Sequence, residues 1–87
     1  MGTIDEARAV AAGFGQSSEQ ALGMLTSAGQ TIAQAQTAFL TRLGPTSHAK
    51  VAEVEARCQV ARQKVAEAIA ALDAARRAAG EFRSGLS

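Results

Sequence analysis

At 87 residues the chain has room for one domain and no more. It is rich in alanine, 47% apolar but only 3% aromatic, with no Trp or Tyr and a formal net charge of +1. That balance excludes the broad electrostatic field that draws proteins to nucleic acid or to an anionic membrane. A single cysteine excludes an intrachain disulfide.

Thr3-Ile4-Asp5-Glu6 reads as a capping box, in which Thr3 accepts from the Glu6 amide and Glu6 reaches back to the Thr3 amide. It opens a first helix predicted over about 4–43. Gly44 stands where a helix C-terminus takes a glycine, and Pro45 cannot continue a helix. The turn is therefore 44–47. Thr46 or Ser47 is the expected cap of a second helix over about 48–83. The single domain, 1–87, is one helical hairpin.

Apolar and small residues spaced three and four apart form a ladder on each helix. The first is Ile4, Ala7, Ala11, Phe14, Ser18, Ala21, Leu25, Ala28, Ile32, Ala35 and Phe39. The second is Val51, Val54, Cys58, Ala61, Val65, Ala68, Leu72, Ala75, Ala79, Phe82 and Leu86. Folded at Gly44-Pro45, they oppose large residues to alanine, as in Ile32/Ala61, Ala28/Val65, Leu25/Ala68 and Ala21/Leu72. The predicted fold is all-α, a long antiparallel two-helix hairpin with an Ala-rich coiled-coil seam. Half of the ladder is small, and a buried Ala contributes far less than the roughly 1.5–3 kcal/mol of a buried Leu or Phe. Assembly into a four-helix bundle is the expected remedy.

The charge distribution says which helix meets a partner. From residue 9 to residue 41 the only charge is Glu19, whereas helix 2 carries twelve charges between Lys50 and Arg83. A helix bathed in water along its whole outer side would carry more charge. The expected intermolecular interface is on helix 1: Val10 and Met24 on one flank of the seam, Leu22 and Leu43 on the other, with Gly15 and Gly29 where backbones come close.

The remaining residues point to no chemistry. Cys58 reads as a small buried hydrophobe. His48 reads as a solvated residue at a helix start, with no second ligand at metal spacing. Arg76, Arg77 and Arg83 suit the negative pole of helix 2. Ser18 opposite Ala75 is a thin layer. Neither a catalytic residue, nor a cofactor, nor a metal site is expected, and the chain reads as no enzyme. Its expected partners are a second copy of itself, as a homodimer or larger, or another helical protein. Nucleic acid, a small-molecule substrate and a membrane span are not expected. The acidic, polar start is unlike a signal peptide, and Glu6 breaks the myristoylation pattern, so a cytoplasmic location is expected.

In length, in the Thr3-Ile4-Asp5-Glu6 start, in the Gln/Ser/Thr-rich first helix and in the tight mid-chain turn, the whole chain resembles the Trp-x-Gly helical hairpins exported by type VII (ESX) systems. It is similar still more to the small Trp-less actinobacterial hairpins at the edge of that class. The turn Leu43-Gly44-Pro45-Thr46 carries no Trp-x-Gly, and Phe82-Arg83-Ser84-Gly85-Leu86 is no Tyr-x-x-x-Asp/Glu motif, so the resemblance assigns no site residue. It implies pairing with a second hairpin and export without a signal peptide. Two other roles fit the same residues: a purely structural self-assembling subunit, and an antitoxin-like or chaperone-like partner of a neighbouring gene product.

Overall fold

The protein is described by a computed structural model covering residues 2–44 and 48–86. Helix α1 spans Thr3–Leu43 and helix α2 spans Ala49–Gly85. They lie side by side as a hairpin, the fold class expected from the two ladders. The Cα radius of gyration is 19.6 Å, against about 12 Å for a compact chain of this length. The molecule is a rod with principal extents of 65 × 15 × 13 Å.

The ends of the helices are closed differently from the sequence expectation. The capping box does not form: Gly2 is the N-cap, no side chain caps α1, and the Asp5 and Glu6 amides donate to the Gly2 carbonyl. Thr3 is already inside the helix, so its hydroxyl is not at the capping position. At the other end Gly44 adopts φ 68°, a conformation that costs a side-chain-bearing residue dearly, and its amide donates to the Leu40 carbonyl at 3.1 Å. The expected stop at Pro45 and the expected caps Thr46 and Ser47 lie outside the described residues. The cap of α2 is His48, whose Nδ1 accepts from the Lys50 amide at 3.0 Å. His48 is thus a structural cap rather than a merely solvated residue.

The seam is the narrow line along which the helices touch. On α1 it runs through Ala11, Gly15, Ser18, Leu22, Leu25 and Gly29, and continues to Ile32 and Gln36. It shares Ala11, Ser18, Leu25 and Ile32 with the predicted ladder. At the alternate steps it takes the next residue along: Gly15 lies further in than the 41%-exposed Phe14, Gly29 replaces the exposed Ala28, and Gln36 replaces the exposed Ala35. On α2, half-buried Ile69 and Arg76 stand where the ladder set Ala68 and Ala75, which are exposed. The helix surfaces are therefore rotated by part of a turn, while the antiparallel register is right to within about one residue. Ile32 and Ala61 border the same hollow, as expected, and Val65 faces Gly29 instead of Ala28.

Among the described residues only Ala11, Ser18 and Gln36 are buried, and none of their side chains is a large hydrophobe. Ser18 satisfies its hydroxyl by donating to the Phe14 carbonyl at 2.7 Å. Gln36 Oε1 is buried with no partner. Among the described residues two polar links cross the seam: Arg8 donates to the Leu86 carbonyl at 3.2 Å at the free end of the rod, and Arg76 reaches Glu19 at 3.4 Å near its middle.

Candidate interaction face

A hairpin has two broad faces, and here they differ in chemistry. The helical period of 3.6 residues assigns side chains to one or the other. One face carries Arg8, Gln16, Glu19, Thr26 and Gln30 from α1 with Arg62, Asp73 and Gly80 from α2. The opposite face carries Val10, Phe14, Ala21, Met24, Ala28 and Ala35 from α1, with Ala68, Ala71, Ala75, Ala78 and Phe82 from α2, and toward the turn it also carries the charged Glu53, Arg57 and Lys64 of α2.

The polar face is tied together by one cluster. Arg76 bonds Asp73 at 2.7 Å and Glu19 at 3.4 Å, and Arg77 bonds Asp73 at 2.9 Å. The hydrogen bond from Arg76, helped by the charge of Arg77, holds the Asp73 carboxyl below the usual carboxylate range against the opposing effect of burial. The same bond holds the Arg76 guanidinium in its charged form. Arg76 therefore acts between the helices rather than on a helix dipole alone.

The other face is open, and it is apolar apart from the charged side chains of α2 toward the turn. Val10 is 72% exposed, Met24 68% and Phe82 54%. Phe14 and Phe82 are both exposed toward the free end of the rod, within about one turn of each other along its length in the register set by the Arg8–Leu86 and Glu19–Arg76 links. Both were expected inside the seam. Toward the turn the same face sinks into a hollow of about 470 Å³ lined by Ile32, Ala35, Val54, Cys58 and Ala61, with Glu53 and Arg57 at its rim. Cys58, a free thiol, is half-buried in its wall.

The six residues expected to meet a partner therefore separate. Val10 and Met24 lie on the open apolar face. Leu22 and Gly29 are half-buried on the side of α1 that faces α2, Gly29 against Val65, whereas half-buried Gly15 borders an open groove with Gln16, Arg76 and Gly80, and a Cβ built there would meet nothing within 4 Å. Leu43 is 49% exposed at the turn end of α1. Among the described residues no group of three His, Cys, Asp or Glu side chains is placed to hold a metal ion, and no helix is long and apolar enough to cross a membrane.

The surface is large for the mass. The chain exposes 6339 Å² at 8.9 kDa, whereas a compact monomer of that mass exposes about 4,800 Å². The difference, roughly 1,500 Å², is well above the roughly 800 Å² that one partner contributes to a standard interface. Comparison with known proteins gives no relative from which to read a role: no protein-family model, no curated protein and no solved structure matches the chain.

Proposed function

We propose that the protein is a non-enzymatic helical interaction module. It works by covering its open apolar face with other helices, either a second copy or another helical hairpin. The observation that carries this reading is the face itself: Val10, Phe14, Met24 and Phe82 exposed together on a rod in which, among the described residues, no large side chain is fully buried. Contiguous apolar surface of this kind marks an association site on a soluble protein. The same geometry leaves the fold short of burial, so association also supplies stability that the hairpin lacks. The architecture keeps the ESX-like reading as a proposal, since such hairpins work in pairs.

Sedimentation of the purified chain, alone and mixed with the products of neighbouring genes, tests this reading. Association that is abolished by Met24→Glu or Phe14→Glu, and kept by Gln59→Glu on the outer side of α2, is the expected result. A well-folded monomer with a concentration-independent melting temperature, which gains no mass in any mixture, overturns it.

A further inference from the structure

The apolar face has an internal symmetry that points to what covers it. Its projecting parts and its recess are placed at equal distances from the middle of α1. The middle of Thr3–Leu43 falls between Ala21 and Met24. Phe14 lies about two and a half turns to one side of that point, and Ile32 at the border of the hollow lies about as far to the other. Val10 and Ala35 are matched in the same way. On α2 the four exposed alanines Ala68, Ala71, Ala75 and Ala78 are centred at the level of this midpoint.

We infer that a second copy of this chain occupies the face, related by a twofold axis that crosses α1 between Ala21 and Met24 and stacks α1 on α1 and α2 on α2, with the two turns at opposite ends of a four-helix bundle. The inference rests on the association reading above and names the partner and its orientation. In this arrangement every residue before the midpoint meets one equally far beyond it, as an isologous interface requires. Met24 then lies over Ala21 of the other copy and Val10 over Ala35, so bulk again meets space. Phe14 and Phe82 enter the other copy's hollow. At about 470 Å³ the hollow has room for aromatic rings, since a cavity of about 150 Å³ admits benzene. The alanines of α2 meet alanines, which lets the backbones come to the short end of the roughly 8–10 Å range of helix packing.

Area and charge agree with this occupant. A face about 65 Å by 15 Å is on the order of 1,000 Å², and each partner in a standard interface contributes roughly 800 Å². Glu6, Met24 and Arg42 are spaced at eighteen residues, five full turns, and so fall on one line along α1. The axis carries Arg42 of one copy to within one turn of Glu6 of the other. Neither residue has an ion-pair partner among the described residues of its own chain. The dimer forms this pair twice, at its two ends.

Spin labels test the orientation. With Cys58→Ala as background and a nitroxide on Thr41→Cys, the two labels of a dimer should lie about 55 Å apart, from 1.5 Å per residue along α1. Labels on Gln20→Cys, near the axis, should lie within about 25 Å on the same reckoning. Independently, Glu6→Lys should raise the dimer dissociation constant several-fold, and Glu6→Lys with Arg42→Glu should restore it. An associated protein with Thr41 labels within about 25 Å of one another has its turns at the same end; that overturns this arrangement and leaves the association reading standing. So does a double charge variant that binds no more tightly than Glu6→Lys alone. A chain that is monomeric alone but gains mass with a neighbouring gene product overturns the second copy as occupant and keeps the interaction module.

Discussion

Gly29 faces Val65 across the seam, and a Cβ built on Gly29 would sit 3.5 Å from Val65 Cγ1. That is ordinary van der Waals contact, so the space left by this glycine is the size of a methyl group. Gly29→Ala should fill it and remove a helix-interior glycine, stabilising the protein by about 1 kcal/mol. Gly29→Leu should instead overpack the seam and destabilise by about 1–3 kcal/mol. Denaturant unfolding of both variants checks the pair. A loss on Gly29→Ala would mean that the helices approach more closely than this.

The buried amide of Gln36 offers a second test. Its Oε1 has no partner, and an orphaned buried acceptor costs about 1–3 kcal/mol. Gln36→Met keeps the length of the side chain and removes the polar atom. It should raise stability by about 1–2 kcal/mol in chemical denaturation, by that same principle.

Asp73 makes the stability of the hairpin depend on pH. Its folded carboxyl is held below the usual range, first by the hydrogen bond from Arg76 and then by the charge of Arg77. The unfolded chain therefore binds more protons than the folded one on the acid side. The contribution is complete above the ordinary carboxylate pKa, about 4, and is lost as the pH falls through the folded value. Asp73→Asn should melt below wild type at neutral pH. The gap should close progressively below about pH 4, by the same linkage. Melting curves across that range decide it, and a gap that persists unchanged in acid contradicts the assignment.

Ala61 and Ala68 should separate the seam from the open face. Ala61 is half-buried beside Ile32, whereas Ala68 is exposed. Ala61→Leu should destabilise the hairpin itself by about 1–3 kcal/mol. Ala68→Leu should leave helix content intact and weaken association, because in the proposed dimer it would push apart two helices that meet through methyl groups. Circular dichroism and sedimentation of the two variants distinguish these effects.

The hairpin and its register to within about one residue were legible from heptad spacing. The rotation of the helices was not. On α1 the apolar and small residues cover more than half the circumference, so their arc does not mark its own centre. Weighting by size drew Phe14 and Ala28 inward and left Gly15, Gly29 and Gln36 outside. The buried line on α1 runs instead through Ala11, Ser18 and Gln36, with Gly29 against Val65. The large side chains are then left at the edge. The cap of α2 was missed for a related reason: His48 is a less common N-cap than Ser or Thr, yet its Nδ1 reaches the Lys50 amide. For the interaction face, Val10 and Met24 were readable from the missing charge on α1. Phe14 and Phe82 were hidden by the same hydrophobicity that makes them candidates.

The single turn at one end of the rod also grades the order in which the structure assembles. Contacts beside Gly44 close loops of a few residues, while the bond from Arg8 to Leu86 joins positions separated by 78. The entropic cost of closure rises with loop length. The two helices therefore join first at the turn and zip toward the free ends, and they fray in the reverse direction. Amide exchange should be fastest at the paired termini and should slow progressively toward the turn end of the rod. The exposed rings of Phe14 and Phe82 lie in the part that closes last, so a chain caught before completion shows its stickiest surface next to its loosest backbone.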